Sequence, residues 1–349
     1  MNDTTFNTTL STSSCGFSFF PLNPAKISPD LRAVFIVRII VSAFTCPLII
    51  FLNILVMVAV KTKPQLRTKS NTALACLATT DLVVGLVLQP LHIARVSFLL
   101  KGEHNMFCTI TDLSKTVTLK CVLVSFHHLV LISAERYFAI KHPFAYETKV
   151  TKVRVIVASA LAWAATIIVG SENFLSTTRL SKTILIVFET LLVIFPVYCN
   201  VSIYKEVRRN EKQIAANQVS LEAKEKLLNN KKAFYTVAVI TLVVLLCYIP
   251  LNVCLVILFS FKNRISLNVS QIALYIFTLL PVLNSLFNPL IYAVRIRYFR
   301  VAFIQLLSRK KTSLQAEELE KKIFRPRHIE VIADVELELA EQNIKEMRP

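Results

Sequence analysis

Long apolar runs, separated by short charged segments, organise this chain. Spanning hydrocarbon takes roughly 20 apolar residues in a helix, and seven stretches meet that length: about 34–60, 71–100, 106–140, 153–171, 183–207, 232–260 and 270–294. The pattern predicts an all-α fold, a seven-transmembrane-helix bundle over residues 34–294. An odd number of crossings puts the two termini on opposite sides. Segments 61–70, 141–152 and 205–232 hold roughly three times as many Lys and Arg as 96–106, 171–182 and 261–269, and cations favour the cytoplasmic side. Residues 1–33 are therefore expected to form an extracellular, glycosylated amino terminus, with Asn2 and Asn7 as acceptors in Asn2-Asp3-Thr4 and Asn7-Thr8-Thr9. Asn268-Val269-Ser270 is a third sequon, close to the membrane. No short apolar region with a small-residue cleavage site precedes Val34, so the first span is expected to serve as an uncleaved signal-anchor.

Past the last span, residues 295–308 alternate cations with apolar side chains at helical spacing, which predicts a short amphipathic eighth helix lying against membrane lipids. The remaining tail, 309–349, is charged and has no aromatic residue after Phe324. It is expected to be cytoplasmic and mostly disordered, with one helix around 314–323.

Composition narrows the function. Hydrophobic residues make up 54% of the 349 and charged residues 18%, far too apolar for a soluble domain. The net charge of +18 sits in scattered short segments, with no single basic face, so no nucleic-acid partner is expected. Only four glycines occur, which leaves no glycine-rich phosphate loop. The eight cysteines and six histidines form neither a CxxC pair nor an HExxH motif, so neither a zinc site nor an enzyme is expected.

Ionisable and amide groups inside apolar spans are costly and therefore mark function. Read in order, Asn53, Leu77-Ala78-Thr79-Thr80-Asp81, Glu135-Arg136-Tyr137, Trp163, Pro196 with Tyr204, Cys247-Tyr248-Ile249-Pro250 and Asn288-Pro289-Leu290-Ile291-Tyr292 resemble the signature set of rhodopsin-like (class A) G-protein-coupled receptors, one motif per helix. The resemblance covers about residues 34–308, with Phe299-Arg300-Val301-Ala302-Phe303 similar to the family's membrane-lying eighth helix. It implies a multi-pass plasma-membrane receptor that passes the signal of an extracellular ligand to a heterotrimeric G protein.

What the resemblance implies for single residues can be set beside what they could do on general grounds. Glu135 would hold the Arg136 guanidinium at rest, and activation would free Arg136 to meet the G protein, with Tyr204 and Tyr292 supplying hydroxyl partners. Alternatively, Arg136 is a cation anchored at the headgroups. Phe144 would insert into a G-protein pocket, or pack at the interface. Ser125 and Thr118 lie eleven and eighteen residues before Arg136 and share its helix face. Asp81, Ser125, Asn284, Ser285 and Asn288 resemble the family's sodium pocket, with sodium as an allosteric modulator; a protonated Asp81 in a hydrogen-bonded network is the other reading. Pro196, Pro250 and Pro289 each remove an i→i−4 bond and can kink their helices. Asn230 stands where many relatives carry an acid, which predicts a weak resting lock and basal signalling.

Departures from the family pattern bear on the ligand. Segment 171–182 has no cysteine, so the family's usual bridge from the third helix to the second extracellular loop cannot form. Only Cys15 and Cys108 fall in expected extracellular segments, making them the candidate disulfide, or two free thiols. A short second loop of this kind resembles the melanocortin, lysophospholipid and cannabinoid branch. Thr118 replaces the aspartate of amine receptors, and 270–294 has no lysine, which argues against a monoamine ligand and against a retinal Schiff base. Candidate pocket residues are Arg95, Lys115, Thr118, Glu189, Tyr248 and Asn252. Arg95 and Lys115 suit a carboxylate or phosphate while Glu189 suits a cation, so the ligand class stays open. His127 and His128 are expected in the core. Past the eighth helix only Thr312 and Ser313 can take phosphate, so weak phosphorylation-dependent arrestin recruitment is expected. The competing readings are a seven-helix transporter or channel, disfavoured by the absence of a repeat between the halves, and a receptor-like scaffold that no longer signals.

Overall fold

A computed structural model describes residues 15–17, 20–22, 27–169, 179–216, 221–261, 264–308 and 313–324. Asn2 and Asn7 lie outside the described residues. The first helix, α1 (Pro29–Thr62), starts where the Ser28 hydroxyl accepts from the Leu31 amide at 3.2 Å, with Pro29 in the first turn. Its 34 residues extend about 50 Å, more than the roughly 30 Å of hydrocarbon, so its ends project beyond the apolar layer. After a 3₁₀ turn at Pro64–Leu66 come α2 (Lys69–Val83), α3 (Gln89–Lys101), α4 (His104–Lys141), α5 (Pro143–Lys149), α6 (Lys152–Val169), α7 (Arg179–Ala216), α8 (Leu221–Ser260), α9 (Leu267–Phe277), α10 (Leu280–Arg295), α11 (Arg297–Leu307) and α12 (Ser313–Phe324). Helices α2 and α3 make one crossing, and α9 and α10 another. Among the described residues six crossings are long and apolar enough on their own, and α6 makes a seventh when taken together with α5, which precedes it at 80°. Outside the bundle, β1 (Cys15–Phe17) and β2 (Phe20–Leu22) pair antiparallel, Gly16 opposite Pro21, and rest on α4 and α9.

The side-chain distribution is inverted relative to a soluble domain. Large apolar groups such as Ile40 and Phe44 on α1, Leu161 on α6 and Val256 on α8 face outward, while Asn53, Asp81, Gln89, His128 and Asn288 are buried. Hydrocarbon solvates the first set at no cost, and each of the second makes a hydrogen bond to another helix. His128 sits in the core as expected, 2.7 Å from the Ser159 hydroxyl, and His127 lies 3.2 Å from Thr166.

Prolines also set the breaks, at positions other than the three expected to kink, where the helices run on unbroken. α7, α8 and α10 remain helical through Pro196, Pro250 and Pro289. The second crossing instead passes through a π turn at Val84–Leu88, which contains Leu86, the residue whose carbonyl the Pro90 ring would strike. The seventh breaks after Phe277, which holds the same relation to Pro281.

The basic segment 205–232, expected as a loop, is mostly helix. α7 continues to Ala216 and α8 begins at Leu221. Hydropathy registers only the part of a helix inside the membrane, whereas these extensions are solvated and held by ion pairs: Arg209–Glu206 at 2.6 Å, and Lys231–Glu211 at 2.5 Å between α7 and α8. On the same side, α11 tucks Phe299, Ala302 and Phe303 against the bundle, and α12 packs along it, with Arg297 3.7 Å from Glu317.

Gly85, inside the π turn, allows α1 to approach closely. A Cβ there would lie 2.8 Å from Ile50 Cγ1 and 3.1 Å from Ile49 Cγ2, and the Cys46 thiol donates to the Gly85 carbonyl at 3.2 Å. Replacing Gly85 with valine is expected to cost about 1–3 kcal/mol by overpacking, read as a lower melting temperature in detergent; an unchanged melting temperature would show that α1 and the π turn separate freely.

Candidate functional site

Three polar clusters occupy three depths of the bundle. At the inner end of α4, Glu135 is buried and Arg136 nearly so. The carboxylate takes the guanidinium in a two-pronged pair, Nε to Oε2 at 2.5 Å and a second nitrogen to Oε1 at 2.6 Å, the strong geometry for this pairing. Tyr146 on α5 donates its hydroxyl to the same Oε1 at 2.5 Å. Burial and the adjoining Glu135 carboxylate push the Tyr146 phenol above its ordinary value, so it stays a donor. Tyr137 packs against Tyr198 of α7 and under Lys141. Phe144, on α5, is 90% exposed. Tyr204 is not beside Arg136; its hydroxyl accepts from Arg208 at 3.1 Å. Tyr292 is fully buried and stacks on Phe299, its hydroxyl without a hydrogen-bond partner among the described residues. The inner ends of α7 and α8 are joined by Glu211–Lys231, and higher up the Asn200 amide donates to Thr241 at 2.9 Å.

Midway through the bundle Asp81 on α2 is fully buried and accepts from the Asn288 amide of α10 at 2.9 Å. Asn53 of α1 donates to the Ser285 carbonyl at 3.1 Å, so three helices meet here. One oxygen of Asp81 and the side-chain oxygens of Asn284 and Asn288 are buried without hydrogen-bond partners among the described residues. Free carboxylate and amide oxygens are what a hard monovalent cation takes as ligands, so these residues fit a sodium ion. The described residues contain no His/Cys/Asp/Glu cluster suited to a transition metal. Ser125 and Ser285 line a cavity of about 50 Å³ just outward, with Thr118, Tyr248 and Thr278 in the same wall.

In the outer half, Arg95 on α3 is buried, with its guanidinium 5.2 Å from the centre of the Tyr275 ring. Beside it lie two groups that the sequence reading passed over. Arg38 of α1, also buried, donates to the Tyr275 carbonyl at 2.5 Å and to the Thr278 hydroxyl at 2.8 Å. His92 of α3 is 3.3 Å from Arg38 and 3.5 Å from the Thr118 hydroxyl. A charge inside an apolar run is itself a marker of function, and that rule applied to Arg38 within 34–60 was the available signal. Lys115 lies elsewhere: it pairs with Asp112 three residues back at 2.9 Å, the ordinary partner on an exposed helix turn. Asn252 is exposed and its amide turns back to the Tyr248 carbonyl at 3.0 Å, outside the cavity wall. Glu189 falls on α7 where side chains lie outside the described residues.

Cys108 is disulfide-bonded, whereas Cys46, Cys76, Cys121, Cys199, Cys247 and Cys254 are free. β1, which begins at Cys15, packs against α4, which carries Cys108.

The chain matches the "7 transmembrane receptor (rhodopsin family)" over residues 52–184 and 171–292. It belongs to that family. The chain is therefore a G-protein-coupled receptor and a multi-pass membrane protein, of a family of receptors and not of enzymes. It is 24% identical to the growth hormone secretagogue receptor type 1 of Mustela putorius furo, over 85% of this chain and 87% of that one. The histamine H2 receptor of Rattus norvegicus is 28% identical, over 75% and 76%. The adenosine receptor A3 of Ovis aries is 26% identical, over 73% and 84%. Relatives named for such different ligands, at such similar identities, assign this receptor to no branch.

The Asp81–Asn288 bond is the receptor's central tie. Asn288→Leu leaves a buried carboxyl without its donor and is expected to lower stability by about 1–3 kcal/mol, whereas Asn252→Leu, which removes an exposed amide, is expected to change melting by less than half as much.

Proposed function

We propose that this receptor sits in the plasma membrane with its amino terminus outside and that an extracellular ligand shifts its equilibrium toward a state that engages a heterotrimeric G protein through Arg136. The observation that carries this reading is the Glu135–Arg136 pair, closed by Tyr146 at the inner rim and flanked by the exposed Phe144. Activation in this reading exchanges the Glu135 contact for the partner's carbonyl groups, with Tyr204 and Tyr292 moving toward Arg136 and Phe144 entering a pocket of the G protein. No described bond ties Arg136 to α8, whose inner end is held to α7 instead, and this favours basal signalling. The α11 face bearing Tyr298 and Leu307 lies on lipid, and a tail offering only Thr312 and Ser313 recruits arrestin weakly.

A panel of G proteins assayed without ligand, comparing the receptor with Arg136→Ala at equal surface expression, tests the switch. The expected result is a basal signal in one subtype that falls at least tenfold in the variant; output equal to untransfected cells would remove the weak-lock reading, and a signal that survives Arg136→Ala would remove Arg136 from the coupling site.

Asp81, Ser125, Asn284, Ser285 and Asn288 are proposed to hold sodium, which when bound would neutralise the buried carboxylate and favour the resting arrangement. Replacing choline with sodium in the assay buffer is expected to lower basal output in the receptor and leave Asp81→Asn unmoved; equal responses would count against the site.

Cys15 is proposed as the partner of Cys108, fastening the amino terminus over the bundle in the oxidising exterior. Peptide mapping without reduction is expected to recover a Cys15–Cys108 cross-linked pair, and recovery of Cys15 as a free thiol would exclude it.

A further inference from the structure

Arg38, His92 and Arg95 play no part in the switch at the inner rim, yet they are among the most deeply buried polar side chains in the outer half of the bundle, 3%, 5% and 7% exposed. Both guanidinium groups approach one ring, Tyr275, at 5.6 and 5.2 Å, so two full positive charges share one small volume and repel each other. Arginine does not shed its proton to relieve this. Among the described residues no carboxylate pairs with either one. Arg38 has three acceptors, the Tyr275 carbonyl, the Thr278 hydroxyl and the His92 ring nitrogen Nδ1, but those are dipoles, not counter-charges. Arg95 has less: it makes no hydrogen bond among the described residues, and its buried Nε is unpartnered. Its planar set of donors is left facing the cluster with only an aromatic ring for company.

The surroundings say what kind of molecule supplies the missing charge. Outward of the cluster, Leu31, Phe35, Val96, Leu99 and Phe107 form a continuous apolar layer. Inward, Thr118 and Thr278 belong both to the cluster and to the wall of the 50 Å³ cavity, whose other lining includes Val84, Leu88, Leu251 and Val282. A hydrated inorganic ion gains nothing from such walls. An anion carried on an apolar body does: its head meets the guanidinium groups, and its body meets the side chains around them. The cavity itself, little larger than the volume of one or two waters, is lined by none of Arg38, His92 and Arg95, so the head seats at the cluster and the cavity takes at most the first carbons of the body.

We propose that Arg38, His92 and Arg95 form the binding site for the carboxylate or phosphate headgroup of an amphiphilic anion, with Arg95 as the direct two-pronged contact and Arg38 as the fixed second charge. This deepens the receptor reading by naming the chemistry of its ligand, and it rests on that reading only in taking the bound molecule to be an agonist or modulator. Binding itself is measurable with no G protein present.

The test uses the full-length receptor in neutral phosphatidylcholine nanodiscs, with thermal unfolding as the readout. The probes are oleate, methyl oleate, oleoyl lysophosphatidate, butyrate and inorganic phosphate. Oleate or the lysophosphatidate is expected to raise the melting temperature saturably by several degrees, since a ligand of the folded state stabilises by mass action. Methyl oleate, butyrate and phosphate at the same concentration should leave it unmoved. Whichever of the two amphiphiles acts identifies the head as carboxylate or phosphate. Arg95→Gln is expected to weaken half-saturation at least tenfold and also to raise the melting temperature of the ligand-free receptor, because it removes an uncompensated buried charge. Should that variant fail to accumulate, Arg95→Lys, which keeps the charge and loses the paired donors, is expected to bind at least tenfold more weakly, and Lys115→Gln to bind as the parent does. The proposal is overturned if neither amphiphile shifts the melting temperature, if methyl oleate or a small anion shifts it equally, or if the Arg95 variants respond as the parent. None of these results bears on the Arg136 assay, whose failure in turn leaves this binding intact.

Discussion

A carboxylate in the middle of a helical bundle has to be answered by a donor on another helix, and in this receptor the answer fixes the rotation of three of them. The Asn288 amide reaches Asp81 at 2.9 Å, and the Asn53 amide reaches the Ser285 carbonyl at 3.1 Å. Each residue along a helix turns it by about 100°, so a slip of one position in α1, α2 or α10 would break a bond that hydrocarbon cannot replace. With that registry set, the flanking layers follow from spacing. One turn inward, Tyr292 falls against Phe299 and seats α11; one turn outward, Ser285 falls into the cavity wall.

The two ends of the bundle then differ in how they treat buried positive charge. At the inner rim, Arg136 has Glu135 beside it and Tyr146 completing the carboxylate's coordination, a pair that the chain balances by itself. In the outer half, Arg38 and Arg95 share a ring, and Arg38 has three neutral acceptors. Self-balance suits a contact meant to rest closed until a partner opens it, because the closed pair needs no charge from outside. Imbalance suits a contact meant to be completed from outside, because the unpaired state is the costly one.

Legibility in the sequence followed the same physics. The crossings were readable because an apolar run of span length has few other uses, and Asp81, Asn288, Glu135 and Arg136 because polar groups in such runs stand out. Less readable was anything decided by side chains meeting across helices. Arg38 is as conspicuous as Asp81 once the rule about charges in apolar runs is applied evenly, but nothing in the sequence reveals that it meets Arg95. Tyr146 looked like loop, since a hydroxyl contact eleven residues from its partner has no periodic signature. Lys115 is drawn toward the pocket by its place near the outer end of its helix and Asn252 by the resemblance of the positions beside Pro250 to a pocket floor, and each turns instead to its own helix, to Asp112 and to the Tyr248 carbonyl. The helical extensions inside 205–232 escaped because their hold is charge pairing in solvent, which hydropathy does not weigh.

Thr278 joins these observations. It caps α9 at the break in the seventh crossing and takes a hydrogen bond from Arg38, and Pro281, three residues on, keeps α10 from closing the gap with a regular helical bond. A break of this kind is where a helix yields most easily, because local backbone bonds that would resist bending are already missing. Any anion that draws Arg38 and Arg95 toward itself therefore loads the seventh crossing at its softest point, and α10 carries that load seven residues inward from Thr278 to Ser285 and on to Asn288, the donor that answers Asp81. Physical contiguity of this kind transmits a signal only through an element with two arrangements. The broken crossing, held from above by a cation with no counter-charge among the described residues and from below by a single amide, is the element of this receptor best built to have them.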